Sequence, residues 1–127
     1  MMKIPSDLRY CETHEWAKTE AEHVMVGVTE FAQDEMGDIV FVELPVVGSE
    51  YKKGESMAVI ESVKAVSDIY APISGTVVEV NESLNDQPEL INEDCYGEGW
   101  MFKIASSNAE ELETLMNAAE YEAHTDA

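Results

Sequence analysis

A lysine within a short polar stretch is the residue whose type and position best suit covalent chemistry. It is Lys64, and its neighbours read Glu61-Ser62-Val63-Lys64-Ala65. A lysine amine is normally protonated in water and is then a poor nucleophile, but it accepts an acyl group well once another enzyme removes a proton. Positive charge is scarce in this chain, with seven Lys and Arg against 27 Asp and Glu, so a lysine in this setting is conspicuous.

Strand-like runs on both sides predict that Lys64 lies near the tip of a β-hairpin. Residues 57–60 precede it, and residues 71–80 follow it with Pro72 and Gly75 as turn residues. A hairpin tip keeps a side chain exposed and holds it at a fixed place on a rigid scaffold. Taken alone, such a lysine is most simply a solvated surface residue, so a function for Lys64 must be inferred from the rest of the sequence pattern.

The rest of the pattern predicts a mainly β fold with few helices. Residues 24–28, 38–44 and 100–104 have the apolar character of strands. Thr29 is predicted to cap a short helix near residues 30–36, with a glycine just past its end. This pattern indicates a sandwich or a flattened barrel.

A second helix is predicted near the C-terminus, at about residues 108–121. Residues 107–110 have the spacing of a capping box. An apolar face follows at helical spacing and consists of Leu112, Leu115, Met116 and Ala119. We expect this segment, about residues 107–122, to pack on the β domain rather than on a partner, and the polar tail after Tyr121 to fray.

Length, composition and charge bound the possible functions. A chain of 127 residues with 45% apolar content predicts one domain spanning residues 1–127. A net charge of −20 disfavours binding to nucleic acid or an anionic membrane and favours basic protein partners, although it also serves ordinary solubility. No apolar run approaches the roughly 20 residues that cross a bilayer. The start lacks a signal-peptide core, and the initial Met indicates an unprocessed chain, so a cytoplasmic location is expected.

No metal site is expected. Cys11 and Cys95 are far apart and form no Cys-x-x-Cys pair, which disfavours a disulfide scaffold. Cys11 and His14 have a spacing that suits two ligands, but no second pair completes a tetrahedral zinc site.

The stretch around Lys64 resembles the lipoylation site of glycine cleavage system H proteins. The resemblance is carried by Glu61-Ser62-Val63-Lys64-Ala65 followed by Pro72-Ile73-Ser74-Gly75. Lipoyl domains of 2-oxoacid dehydrogenases often have Thr-Asp before the lysine, and biotin carriers have Ala-Met, where this chain has Ser62-Val63. The resemblance extends from about residue 8 to residue 121, through His14-Glu15-Trp16, residues 37–45, Asn81 with Leu84, residues 90–92 and residues 96–100.

Two departures from the family pattern limit which residue roles are transferred from the family to this chain. Cys95 stands where the family usually has proline, and Glu35 and Met36 occupy a region where some members have a histidine. Any role of that histidine is therefore not transferred to this chain. The resemblance implies the barrel-sandwich hybrid fold of lipoyl and biotinyl carriers.

By this resemblance, Lys64 carries one lipoate per chain through an amide, and the chain is a carrier and not an enzyme. Its implied partners are the PLP-dependent glycine decarboxylase, the tetrahydrofolate-dependent aminomethyltransferase, dihydrolipoamide dehydrogenase, and a lipoate ligase or a lipoyl/octanoyl transferase. The aminomethyl group passes from the first enzyme to the second, and a monomer suits such a shuttle. Glu15 and Asp68 are the candidates for contacting the cationic amine of the loaded arm. Glu61 and Ser62 are the candidates for recognition by the lipoylating enzyme.

Other interpretations of these residues stay open. A carrier that relays lipoate to other proteins, or serves another redox complex, fits the same sequence. The chain shows no Pro/Ala-rich linker or catalytic domain, which disfavours a 2-oxoacid dehydrogenase lipoyl domain, and Val63 in place of methionine disfavours a biotin carrier. A Schiff-base enzyme would need Lys64 in a desolvated pocket, whereas the acidic and hydroxyl neighbours of Lys64 predict that its amine is solvated. An acidic interaction module without a cofactor is the last alternative.

Overall fold

Two antiparallel β-sheets with short helices around them form the protein in the computed structural model, which describes residues 3–20, 23–108 and 110–126. Sheet A has the strand order β1-β2-β3-β9-β8-β5, and sheet B has the order β4-β6-β7. Sheet A contains β1 (Arg9–Tyr10), β2 (Glu15–Glu20), β3 (His23–Val28), β5 (Glu50–Tyr51), β8 (Gly75–Val80) and β9 (Phe102–Ser106). Sheet B contains β4 (Ile39–Glu43), β6 (Ser56–Ser62) and β7 (Val66–Tyr70). The helices are α1 (Glu30–Met36), α2 (Ser83–Asp86), α3 (Leu90–Asp94), α4 (Glu110–Glu113) and α5 (Ala118–Asp126).

The mainly β fold predicted from the sequence is confirmed. The two sheets do not close into a barrel and instead pack as a flattened sandwich. Residues 1–2, 21–22, 109 and 127, which the predicted domain or its C-terminal helix includes, lie outside the described residues. None of the described helices has the length and apolar character needed to cross a membrane.

The main core is formed by the inward side chains of both sheets. Sheet A contributes Val26 and Phe102, while sheet B contributes Ile60 and Ile69, and each of these is at most 4% exposed. Each such side chain stabilises the fold by about 1.5–3 kcal/mol relative to full exposure. The two sheets are thus held face to face, and the turns at their ends are free to carry function.

Helix α1 begins and ends as its sequence predicts. The Thr29 Oγ1 accepts a hydrogen bond from the Ala32 N–H at 3.2 Å, which satisfies one of the open donors of the first turn. At the other end the Gly37 N–H donates to the Gln33 carbonyl at 3.0 Å. Gly37 has φ of +77°, a backbone region that favours glycine, so the chain turns sharply there from α1 toward β4.

The predicted C-terminal helix is present in two parts, α4 and α5. Between them, Met116 exchanges backbone hydrogen bonds with Tyr10 at 2.8 and 2.9 Å and so pairs with the edge strand β1. The Asn117 Oδ1 then accepts from the Glu120 N–H at 2.9 Å and caps the new helix. The open backbone groups of β1 and the cap at Asn117 therefore interrupt a segment whose apolar spacing favours a single helix.

Tyr121 fixes α5 to the rest of the molecule. Its ring is fully buried and stacks on Tyr10 with centroids 4.6 Å apart and planes 11° from parallel. Its hydroxyl lies 2.7 Å from the Thr29 Oγ1 and 2.7 Å from the His14 Nδ1. The Tyr121 phenol thus joins helix α5 to the cap of α1 and to the loop before β2. Helix α5 continues past Tyr121, whereas the sequence predicts a frayed tail there.

Candidate functional site

Lys64 lies at the tip of the turn between β6 and β7, as the sequence predicts. The last paired residues of the two strands are Glu61 and Val66. The Ser62 N–H donates to the Ala65 carbonyl at 2.8 Å, and the Ser62 Oγ accepts from the Lys64 and Ala65 N–H groups at 3.3 and 3.1 Å. The Ser62 side chain therefore folds the turn in the way that hydroxyl residues commonly do.

The turn is also anchored to the loop that follows α1. The Val63 N–H donates to the Asp38 carbonyl at 3.1 Å. A side-chain carbon at Gly37 would lie 3.5 Å from the Lys64 Cε, so the stem of the lysine runs along this glycine. The loop itself is held by Asn92, which donates to the Gly37 carbonyl at 2.8 Å and accepts from the N–H of Ile39 at 2.9 Å. Nothing in the sequence next to Asn92 indicates this contact.

The Lys64 side chain is open to solvent. It is exposed, and both ion pairs found within the described ranges involve Lys103 instead. An amine used as a Schiff-base nucleophile must be desolvated. The exposed position suits a group that another enzyme modifies and disfavours catalysis by the lysine itself.

A narrow cleft lies between α1 and sheet B, beside the turn. Its volume is ≈ 20 Å³, which is about the space of one water molecule. Met36, which precedes Gly37 in the chain, is one of the residues that line the cleft. The lining residues are Thr13, Val28, Ala32, Gln33, Met36, Ile39, Ile60, Ser67 and Ile69. A larger occupant would require α1 or its side chains to move away from sheet B.

Glu15 is fully buried behind the cleft wall. Its Oε1 accepts from the Thr13 hydroxyl, and its Oε2 accepts from the Tyr70 N–H at 3.1 Å. Tyr70 is the last residue of the edge strand β7, so the carboxylate accepts from a backbone donor at the end of that strand. Burial raises the pKa of Glu15, and the hydrogen bonds from Thr13 and Tyr70 oppose that rise.

The structure does not bring Asp68 and Glu15 together. Ser67 and Ile69 line the cleft, and successive side chains of a strand point to opposite faces, so Asp68 lies on the far face of sheet B. There it is exposed and accepts from the Ser56 hydroxyl at 3.3 Å. The predicted contacts of Glu15 and Asp68 with a loaded amine stay predictions, as does recognition of Glu61 and Ser62 by a lipoylating enzyme.

The chain matches proteins of known family over nearly its whole length. The family model described as "Glycine cleavage H-protein" matches residues 8–127. A glycine cleavage system H protein of Anaeromyxobacter sp. (strain K) is 57% identical over 122 residues, covering 96% of this chain and 95% of the relative. A protein of the same name from Bacillus subtilis (strain 168) is 56% identical over 124 residues, covering 98% of each.

A solved structure agrees with these sequence matches. The crystal structure of a glycine cleavage system H protein from Mycobacterium marinum superposes with a TM-score of 0.89 at 39% sequence identity. It covers 98% of this chain, and this chain covers 100% of it. The flattened sandwich fold is therefore shared with that protein.

Proposed function

Because this chain belongs to the glycine cleavage H-protein family, we propose that Lys64 is the residue that carries its lipoyl group. The family consists of the non-catalytic lipoyl carriers of the glycine cleavage system, and a covalently attached lipoate is the cofactor. One observation carries the assignment to Lys64. Its side chain is exposed at the tip of a turn whose backbone is fixed by Ser62 and Asp38.

The residues around Lys64 fit a long attached arm. An amide at the Lys64 Nζ removes the ammonium charge and leaves the arm attached to a turn whose backbone is held by hydrogen bonds. Gly37 lies beside the stem of Lys64, where a Cβ would make an ordinary van der Waals contact with the Lys64 Cε at 3.5 Å. When attached, the lipoyl group would supply a dithiolane disulfide for transfer of the aminomethyl group, chemistry that belongs to the cofactor, while this chain's residues hold and position it.

The partners that we propose are the enzymes of the glycine cleavage system. They are glycine decarboxylase, the aminomethyltransferase and dihydrolipoamide dehydrogenase, with a lipoate ligase or a lipoyl/octanoyl transferase attaching the arm. The net charge of −20 supports rapid encounter with basic surfaces on such enzymes. We propose that the carrier is a single domain of residues 1–127, located in the cytoplasm, and that it is a monomer. A monomer suits a chain that must visit several active sites through small, transient interfaces.

Reconstitution with glycine decarboxylase tests this function. The lipoylated chain is expected to support exchange of labelled bicarbonate into the carboxyl group of glycine, and the unmodified chain is not. Exchange at the same rate with both forms would contradict a carrier role that depends on the arm. No exchange with the lipoylated chain, although a known H protein supports it in the same assay, would assign the chain to a different lipoyl-dependent complex.

We propose that the cationic amine that the arm carries is sheltered in the cleft beside α1. Thr13 forms part of its wall, and the Glu15 carboxylate behind Thr13 offers a negative charge away from water. Asp68 lies on the face of sheet B that points away from the cleft, so we propose that Glu15 contacts the amine, and Asp68 serves as the control residue. The cleft must widen to admit the arm, and Gln33 and Met36 of α1 are the partly exposed side chains that can move.

Glu15→Gln is expected to speed release of ammonia from the aminomethyl-loaded carrier by about tenfold or more, since a hydrogen bond to a charged group contributes about 1.5–3 kcal/mol and 1.4 kcal/mol corresponds to tenfold. Asp68→Asn is expected to leave the rate unchanged.

Because burial raises the pKa of Glu15, the carboxylate becomes protonated as the pH falls through that raised pKa. The excess rate of ammonia release in Glu15→Gln over wild type therefore shrinks there. Equal rates at neutral pH in folded Glu15→Gln and wild type would exclude the contact.

A further inference from the structure

The face of sheet B that points away from the core carries two rows of alternating apolar and acidic side chains. In the row next to the Lys64 turn, Phe41 lies opposite Glu61, and Glu61 lies opposite Val66. In the following row, Glu43 lies opposite Val59, and Val59 lies opposite Asp68. Directly opposite residues of paired strands share a face and contact one another. We call the six residues Phe41, Glu43, Val59, Glu61, Val66 and Asp68 the outer face.

The outer face exposes large apolar side chains beside the turn that carries Lys64. Phe41 is 51% exposed and Val66 is 67% exposed, and Val63 at the tip of the turn is 71% exposed. Adjoining apolar side chains at the surface, surrounded by polar ones, are typical of interaction sites. The acidic residues between and beside them give the same surface a negative charge, so its complement is a surface with both apolar and basic side chains.

The short reach of an unmodified lysine indicates which partner covers this face. A finished lipoyl arm can enter an active site at a distance from the turn, but the bare lysine has only a four-carbon stem. An enzyme that acylates Lys64 must bring its reacting carbon to within about 3–3.5 Å of the amine, so it must also cover the residues next to the turn. Glu61 and Val66 are the last paired residues before that turn, and Phe41 adjoins Glu61.

We propose that the outer face is the docking surface for the enzyme that acylates Lys64, and that this enzyme presents apolar and basic side chains to it. The inference rests on the proposed attachment at Lys64. With a ligase, the Lys64 Nζ gives up a proton to a base on that enzyme and forms a C–N bond to the acyl carbon of lipoyl-adenylate. The C–O bond to AMP breaks, and AMP leaves with its electrons. The outer face takes no part in this step and serves only to position the lysine.

The test measures acylation kinetics with a purified lipoate ligase, ATP and lipoate, followed by intact mass. Phe41→Ser and the double variant Phe41→Ser with Val66→Thr are expected to raise KM, the double variant by about tenfold, which corresponds to 1.4 kcal/mol. The kcat is expected to change little, because neither residue touches the reacting atoms. Phe41 lies on β4, outside the turn and the sequence motif that contain Lys64, so its effect cannot come from that motif.

A matched control exists at the opposite end of β4. Val47 is 54% exposed and follows β4 on the side away from the Lys64 turn. The variant Val47→Thr, compared with the single variant Phe41→Ser, therefore removes an exposed apolar side chain outside the outer face and is expected to keep the wild-type KM. Circular dichroism and urea unfolding show that each variant is folded.

A second pair of variants tests the charge of the outer face. Glu43→Gln with Asp68→Asn is expected to raise KM at low salt, and the difference from wild type should shrink at high salt, where exposed charges are screened. The control removes two exposed carboxylates elsewhere, with Glu50→Gln and Glu113→Gln. An equal effect of the control pair would mean that net charge acts and that the outer face does not.

The outcomes separate this inference from the proposed attachment. If wild type is lipoylated at Lys64 but the folded Phe41 and Val66 variants are acylated with wild-type KM, the outer face is not the docking surface and the attachment stands. If acylation is normal but KM rises for glycine decarboxylase alone, the surface belongs to a different partner and the inference is again overturned. If wild type accepts no lipoyl group from any lipoylating enzyme, the attachment itself fails.

Discussion

Arginine in place of Lys64 will abolish attachment of the lipoyl group and leave the turn folded. Arginine keeps the positive charge and a long stem, but its guanidinium is not deprotonated in proteins and so cannot accept the acyl group. The hydrogen bonds that shape the turn come from Ser62, Ala65 and Asp38, which the substitution does not touch. Incubation with a lipoate ligase, ATP and lipoate, followed by intact mass, should show one lipoyl group on wild type and none on Lys64→Arg.

Lys52→Arg is the matched control for this experiment. Lys52 is an exposed lysine in the turn that connects β5 of sheet A to β6 of sheet B, so it tests whether any exposed lysine in a turn is accepted. The control should gain one lipoyl group like wild type and should support glycine–bicarbonate exchange. A gain of mass in Lys64→Arg, or a second lipoyl group on wild type, would place an attachment site on a different lysine.

The parts of the fold that depend on neighbouring residues could be predicted from the sequence. Thr29 and Gly37 bound α1 because a cap and a left-handed glycine act within a few residues of the helix. The position of Lys64 at a hairpin tip was predicted in the same way, from two strand-like runs and the turn residues between and after them. Each of these features is decided by short-range hydrogen bonding and backbone geometry.

The contacts that position the site depend on residues far apart in the chain and could not be predicted in this way. Asn92 holds the loop at Gly37 from a different helix, and nothing in its own neighbourhood indicates that contact. Glu15 looks like one surface acid among many, yet it is buried and accepts a hydrogen bond from the N–H of Tyr70. The His14-Glu15-Trp16 motif indicates Glu15 as a candidate residue, but only the packing of sheet A against β7 shows which groups its carboxylate contacts.

The outer face shows the same division between local pattern and tertiary structure. Phe41 and Val66 are ordinary strand residues by type, and they lie far apart in the sequence. Only the register of β4, β6 and β7 places them on either side of Glu61 beside the turn. Asp68 follows the Lys64 motif closely in sequence, but the pleat of β7 directs it away from the cleft that contains Ser67.

Tyr121→Ala is expected to destabilise the protein by about 3–5 kcal/mol, the range for removing a large buried aromatic side chain. The substitution removes the stack on Tyr10 and leaves the Thr29 hydroxyl and the His14 ring without their phenol partner. Tyr121→Phe keeps the stack and removes only the hydroxyl, so a smaller loss of about 1–3 kcal/mol is expected from the unpaired buried groups. Urea unfolding at neutral pH measures both losses, and Tyr51→Phe, a half-buried tyrosine of β5, is the control.

The pH dependence of these variants tests the role of His14 in the same contact. Burial and the nearby His124 lower the pKa of His14, so the folded protein favours the neutral ring. Stability is therefore lost as the pH falls from the ordinary histidine pKa of about 6.5 toward the lowered value, because the unfolded chain takes up the proton first. Tyr121→Ala exposes the ring and should remove this part of the pH dependence, whereas Tyr121→Phe should keep most of it. The same pH profile for Tyr121→Ala and wild type would show that α5 does not bury His14.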